Sequence, residues 1–101
     1  MLDNSALGLV RQWQELFFEG NYSEVHLDDN PDFAGVARAF GIQAHSIKER
    51  EEVYDGLEWL LNTKGPAMLH VSIDSMENVW PLVPPGKPNH KMMKSNPQKA
   101  R

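Results

Sequence analysis

The chain has 101 residues, 41% of them hydrophobic, with ten basic and fourteen acidic side chains giving a formal charge of −4. That is room for one small domain or part of a larger one, too apolar for a disordered chain, and without the basic stripe of a nucleic-acid binder. There is no cysteine, which excludes a disulfide framework and a thiolate metal site, and no apolar run approaches the ~20 residues needed to span a bilayer.

The opening, Leu2 to Gln14, reads as a strand end, a short polar loop and a helix, with Asn4 where the strand stops. In open α/β sheets that junction is where ligands bind, because loops and helix N-termini converge there. The chain is therefore expected to begin at a site, as the remaining part of a larger domain. Asp3 and Asn4 also interrupt any signal peptide, which leaves the cytosol or an organelle interior as the compartment. On spacing alone Asn4 reads first as a turn-former ahead of a helix.

The first helix is expected over about Ala6 to Phe18, with Ser5 as its N-cap. Leu9, Trp13, Leu16 and Phe17 form an apolar stripe, and Arg11, Gln14 and Glu15 lie mostly on the other side. Arg11 reads either as a solvated residue or as half of an intersubunit salt bridge. Gly20-Asn21 ends the helix, and Tyr22 to Asp29 is expected to be irregular. Asn30-Pro31-Asp32-Phe33 marks the next helix start, with Asn30 as cap and Pro31 in the first position. Phe33, Val36, Ala37 and Phe40 then share a face until Gly41 stops the helix.

A strand follows over about Gln43 to Ile47, then a helix from about Glu49 to Asn62 with Val53, Leu57, Leu60 and Leu61 toward the core. Gly65-Pro66 turns the chain into a strand, Ala67 to Ile73, patterned as an outer parallel strand covered by helices. The order predicts the closing half of a parallel α/β sheet, with the helix over 49–62 long enough to serve as a crossover. His26, His45, His70 and His90 show no metal-binding spacing, and His70 reads as a strand residue with a local hydrogen bond. From Asn78 to Gly86 the sequence is stiff and partly apolar, without helical or strand period. Lys87 to Arg101 is basic, poor in large aliphatic residues and expected to fray.

These segments together resemble the carboxy-terminal end of the acetolactate synthase (acetohydroxyacid synthase) catalytic subunits, isozyme II type. The residues carrying the resemblance are Leu2-Asp3-Asn4, Leu7-Gly8-Leu9-Val10, Arg11-Gln12-Trp13-Gln14 and Leu16-Phe17-Phe18. Further matches are Tyr22-Ser23, Asn30-Pro31-Asp32-Phe33, Ala39-Phe40-Gly41, Gly65-Pro66 and Glu77-Asn78-Val79-Trp80-Pro81-Leu82-Val83-Pro84-Pro85-Gly86, so the likeness runs from Leu2 to about Met93.

The resemblance implies a fold: the closing half of a parallel-sheet, three-layer α/β/α domain that binds thiamine diphosphate, incomplete here. Residues 1–75 would be its carboxy-terminal portion and residues 76–101 an extended tail covering the active-site mouth, with a flexible basic end. It also implies a reaction, the condensation of two pyruvates, or of pyruvate and 2-oxobutyrate, with loss of CO₂ in isoleucine and valine biosynthesis. The cofactors implied are thiamine diphosphate, Mg²⁺ and FAD, and the partners are the rest of the large subunit, a second copy and a small regulatory subunit, in a bacterial-type cytoplasm.

Residue by residue, Asn4 and the backbone carbonyl of Ala6 match the family's Mg²⁺ ligands, Leu9 and Val10 match cofactor contacts, and Trp13 matches the residue lining the substrate channel. Hard oxygen donors suit Mg²⁺, and an amide supplies one without adding charge beside an anionic diphosphate. Asp3 is not expected to replace the missing acidic ligand, since neighbouring strand residues face opposite ways. The family's Gly-Asp-Gly segment and its activating Glu are not in this sequence, so the isolated chain is expected to be inactive. The other reading is a non-enzymatic α/β interaction module, or a gene remnant, binding through exposed apolar surface at Leu9, Trp13 and Phe17.

Overall fold

A computed structural model describes residues 1–97; the end of the basic segment, 98–101, lies outside the described residues. The elements are β1 (Leu2–Asp3), α1 (Gly8–Phe17), α2 (Phe33–Ala39), β2 (Gln43–Ile47), α3 (Val53–Asn62) and β3 (Ala67–Ser72), with short 3₁₀ turns at Arg50–Glu52 and Asn89–Lys91. The three strands are parallel in the order β1-β3-β2. The expected outer strand, β3, is thus the central one. Its half-polar face had suggested an edge, and that face is instead used by His70, described below.

Strand alternation divides the packing into three layers. On one face Ala34 and Ala37 of α2 bury Ala44 of β2, with Ile42 and Met68 packed alongside. On the other, α3 comes so close at Gly56 that a Cβ there would stand 3.3 Å from Ile47 and Leu69. Trp59 of α3 stacks on His45 with ring centroids 4.0 Å apart. The three-layer α/β/α arrangement expected from the sequence is therefore present, over a sheet of only three strands.

The expected core stripes are shifted. Small residues make the close contacts, so α2 turns Phe40 outward at 81% exposure and α3 turns Leu61 outward at 83%, with Val36, Val53 and Leu57 also exposed. Of the expected α2 stripe Ala37 is buried and Phe33 half-buried, but the closest approaches fall at Ala34 and Gly56, outside the expected stripes, and turn Val36, Phe40 and Leu61 outward. The radius of gyration is 17.2 Å, against about 13 Å for a compact chain of 100 residues.

Two helix starts differ from expectation. Asp32, not Asn30, caps α2 by accepting from the Gly35 N–H at 3.0 Å, which places Pro31 ahead of the cap. Ser5 does not cap α1. It adopts φ +49° and donates its N–H to the Asp3 carboxylate at 2.7 Å, and the helix begins later, with Leu7 as an N-cap lacking any side-chain bond. The segment 87–97 is more ordered than a frayed end: Met93 pairs with Leu82 in an antiparallel bridge, and Asn96 is buried.

Candidate functional site

The parallel strands end together, so Asn4 stands at the carboxyl edge of the sheet, directly after β1. Its neighbourhood is fixed by short-range bonds. The Asn4 Oδ1 accepts from the Ala6 N–H at 3.2 Å. The Leu7 N–H donates to the Val25 carbonyl, and the Leu27 N–H to the Ser5 carbonyl, so the loop is laced to residues 25–27. This pattern leaves the Ala6 carbonyl without a donor among the described residues. Gly8 leaves room for the amide: a Cβ there would lie 2.5 Å from Asn4 Nδ2, which would then have to move. The Asn4 amide thus folds over the first residue of a helix whose N-terminal N–H groups carry no side-chain cap, a geometry that favours anionic oxygen.

β1 is held to the sheet by a polar chain that runs across all three strands. Asp3 Oδ2 lies 2.9 Å from His70 Nε2, and His70 Nδ1 lies 3.2 Å from Ser46 Oγ. A carboxylate only accepts, so His70 donates from Nε2 to Asp3, and in the neutral ring Nδ1 accepts from the Ser46 hydroxyl. Phe33 meets the His70 ring edge-on, with centroids 5.5 Å apart. The hydrogen bond from His70, followed by that from the Ser5 N–H, holds the Asp3 carboxyl below the usual aspartate range. His70 thus makes the hydrogen bond expected of it, although the contact spans the sheet and is not local. Both Asp3 carboxylate oxygens are engaged, Oδ2 with His70 and Oδ1 with the Ser5 N–H.

Beyond the loop, α1 exposes Leu9, Val10, Trp13 and Phe17, and Phe18 just after it is exposed too. The first four, with Gln14 and Phe18, line an open apolar groove of about 860 Å³. Trp13, 40% exposed, meets Phe17 edge-on at 5.8 Å. Of the residues expected at the site, the structure therefore brings Leu9, Val10 and Trp13 into one groove. It places Asn4 and Ala6 together at the N-terminal end of the same helix, outside the groove lining.

The opposite side of α1 is where sequence reasoning missed most. Arg11 is neither solvated nor paired across subunits. It is 0% exposed and ion-paired to Glu15 at 3.0 Å within the chain. Its guanidinium also donates to the carbonyls of Met76 and Glu77, both at 3.3 Å, and to Asn78 Oδ1. Its Nε, although buried, has no partner among the described residues. Gln12 is bonded twice to one peptide of the tail, accepting from the Val79 N–H and donating to the Val79 carbonyl, each at 2.9 Å. Glu15 accepts in addition from Asn78 and Asn96, each at 2.9 Å. An arginine opposite an apolar stripe reads as solvated, because its tail partners at 76–78 lie more than sixty residues away.

Among the described residues no group of three or more His, Cys, Asp or Glu could hold a metal ion. The oxygen donors at this end of the sheet are instead an amide and a backbone carbonyl, Asn4 and Ala6. No described helix is long and apolar enough to cross a membrane.

Comparison with known proteins bears on the whole chain. Residues 1–71 match the family described as "Thiamine pyrophosphate enzyme, C-terminal TPP binding domain". The acetolactate synthase isozyme 2 large subunit of Escherichia coli K12 is 56% identical over 93 residues, which is 92% of this chain and 17% of that protein. The mitochondrial acetolactate synthase catalytic subunit of Aspergillus candidus is 40% identical over 98 residues, 97% of this chain and 14% of the relative. That of Saccharomyces cerevisiae is 37% identical over 101 residues, 100% of this chain and 15% of the relative. The chain spans 14–17% of the length of these relatives.

Proposed function

The chain belongs to the thiamine pyrophosphate enzymes, as part of their C-terminal cofactor-binding domain, and on that premise we propose that it forms the carboxy-terminal part of an acetolactate synthase catalytic subunit. The complete enzyme would join two pyruvates, or pyruvate and 2-oxobutyrate, with loss of CO₂. The observation that carries this reading is the Asn4 junction. An amide oxygen closes β1 at the carboxyl edge of the sheet, a carbonyl lies two residues on, and an uncapped helix starts behind them.

The donor set fits a magnesium diphosphate. Mg²⁺ takes hard oxygens and keeps part of its shell for phosphate and water, so Asn4 Oδ1 and the Ala6 carbonyl would hold it from the protein side. Thiamine diphosphate supplies, when bound, the electron sink for decarboxylation and carbon–carbon bond formation. Everything else asked of this chain is binding and exclusion. Leu9 and Val10 offer apolar surface to the cofactor, and Gly8 leaves the space in which the Asn4 amide sits. Trp13 narrows the substrate channel, where one methylene of acceptor is worth about 1–3 kcal/mol.

In this reading residues 1–75 are the end of the cofactor domain and residues 76–101 the tail that covers the site mouth and keeps water from the reacting carbon. FAD, a second large subunit, a small regulatory subunit and a cytoplasmic setting complete the reading. The isolated chain would be inactive, because the activating Glu and the Gly-Asp-Gly loop are not in its sequence.

The test is a large subunit of the isozyme 2 type in which these 101 residues replace its own C-terminal segment. Acetolactate formation by that subunit, and none by the isolated chain with thiamine diphosphate, Mg²⁺ and pyruvate, is the expected result. A correctly folded but inactive subunit, or carboligation by the isolated chain, would overturn the reading. The exposed apolar face of α1 favours a second reading, a non-enzymatic interaction module. A monomer of sharp unfolding cooperativity that needs no further polypeptide would support it.

A further inference from the structure

We propose that Arg11, Gln12 and Glu15 are positioning residues that lock the tail onto the back of α1 and so fix the helix rotation that presents Trp13 to the groove. The inference deepens the proposed function, since the meaning of Trp13 rests on that reading. It stands on a geometrical opposition. At 3.6 residues per turn, Arg11, Gln12 and Glu15 share one side of the helix, while Leu9, Val10, Trp13 and Phe17 centre roughly 170° away.

Apolar burial does little to set the rotation of α1: Leu16 is half-buried, but Leu9, Val10, Trp13 and Phe17 are exposed. Its hydrophobic side is open, and the buried side chains of the helix are Arg11 and Gln12. Apolar burial is non-directional, whereas hydrogen bonds fall off steeply with angle. The orientation is therefore held by directional contacts. Arg11 reaches three successive residues, Met76, Glu77 and Asn78, and Gln12 reads both the N–H and the C=O of Val79. Turning α1 by a fraction of a turn would strip the buried Arg11 and Gln12 side chains of their partners, which is costly. On the far flank Gln14 makes the corresponding pair of bonds to the Ser23 N–H and carbonyl, each at 3.2 Å, but in an exposed setting. The tail is tied down at both ends, by residues 76–79 at its root and by Asn96 on its return to Glu15.

A cluster that merely fastened the tail would leave Trp13 indifferent to its loss. The chain has three tryptophans, and they report separately. Trp59 stacks on His45 of the sheet and monitors folding, Trp80 follows the clasped peptide of Val79, and Trp13 monitors the helix. The experiment is ¹⁹F NMR of the full chain labelled with 5-fluorotryptophan, assigned by Trp→Phe substitutions, together with amide exchange at Val79. In Gln12→Ala, exchange at Val79 is expected to rise about tenfold, the order of one lost hydrogen bond. The Trp80 and Trp13 resonances should both move while Trp59 stays. Arg11→Lys keeps a charge for Glu15 but lacks the fork, and should give an intermediate Trp13 shift, with Arg11→Ala the larger one.

A Trp13 resonance that stays in place while Val79 and Trp80 report release overturns the proposal, as does unchanged exchange at Val79. If Arg11→Ala also displaces Trp59, and hence the fold, Gln12→Ala and Asn78→Ala carry the test with the Arg11–Glu15 pair intact. These readouts need no activity. An inactive hybrid subunit would therefore overturn the catalytic reading alone, and an indifferent Trp13 the clasp alone.

Discussion

The two long sides of α1 differ in the opposite sense from a helix packed on a globular core. The side carrying Arg11, Gln12 and Glu15 is buried under residues 76–79 and Asn96, and the side carrying Leu9, Val10, Trp13 and Phe17 faces an open groove. The sheet obeys the ordinary rule, with Ala44, Ile47 and Leu69 buried beneath α2 and α3. The contrast teaches that α1 is oriented by polar geometry and that its apolar side is surface kept for something else. In the proposed reading that is a cofactor and its channel.

The comparison breaks most visibly at Arg11. Arg11→Met should destabilise the chain by about 3–5 kcal/mol, because it leaves Glu15, the Met76 and Glu77 carbonyls and Asn78 short of a buried partner. Chemical denaturation measures this, and a loss below 1 kcal/mol would mean that the clasp is not closed in solution. Asp3→Asn should cost about 1–2 kcal/mol by weakening the bonds from His70 and the Ser5 N–H.

That carboxyl also gives the β1 anchor a pH dependence. Its folded pKa is depressed, so its contribution is complete above the ordinary aspartate range and is lost as the pH falls through the folded value. Acid unfolding followed for the wild type and Asp3→Asn should therefore converge at low pH. Curves that stay parallel to the acid limit would contradict the anchor.

The apolar side should respond weakly in the isolated chain. Phe17→Ser and Leu9→Gln remove half-exposed surface and are expected to change stability by less than about 1 kcal/mol while reducing self-association; light scattering checks the second part. Smallest in stability, and most local, is Gly8→Ala. Its methyl would collide with the Asn4 side-chain amide, the free end of a side chain, so the change should stay within about 0.5 kcal/mol. The Asn4 amide resonances should nevertheless shift. Unmoved Asn4 signals would place that side chain elsewhere.

The division between what could and could not be foreseen follows the same contrast. Strand, loop and helix around Asn4, the 43–47 and 67–72 strands and the 53–62 helix follow from apolar spacing and from Gly and Pro punctuation, and they stand where expected within a few residues. Which faces are covered did not follow. Periodicity says that Phe40 and Leu61 share sides with other apolar residues, Ala37 among them, but the close approaches at Ala34 and Gly56 decide the rotation, and those two residues carry little hydrophobic signal. Arg11 and Gln12 were illegible for a related reason: their partners lie more than sixty residues away, and one polar residue looks the same whether water or a distant peptide satisfies it. The groove residues Leu9, Trp13 and Phe17 were grouped by spacing and Val10 came only from the resemblance, whereas the tie between Asn4 and Ala6 depends on loop geometry that spacing does not encode.

The most direct measurement concerns Asn4 itself. Calorimetric titration of thiamine diphosphate, with and without Mg²⁺, into the hybrid subunit described above compares the native segment with Asn4→Ala. The amide oxygen should be worth about 10–100-fold in Mg²⁺-dependent affinity, as for groups that orient or ligate a metal, while binding without Mg²⁺ should not change. Equal Mg²⁺-dependent affinity for the two proteins would contradict the placement of the cofactor at the end of β1.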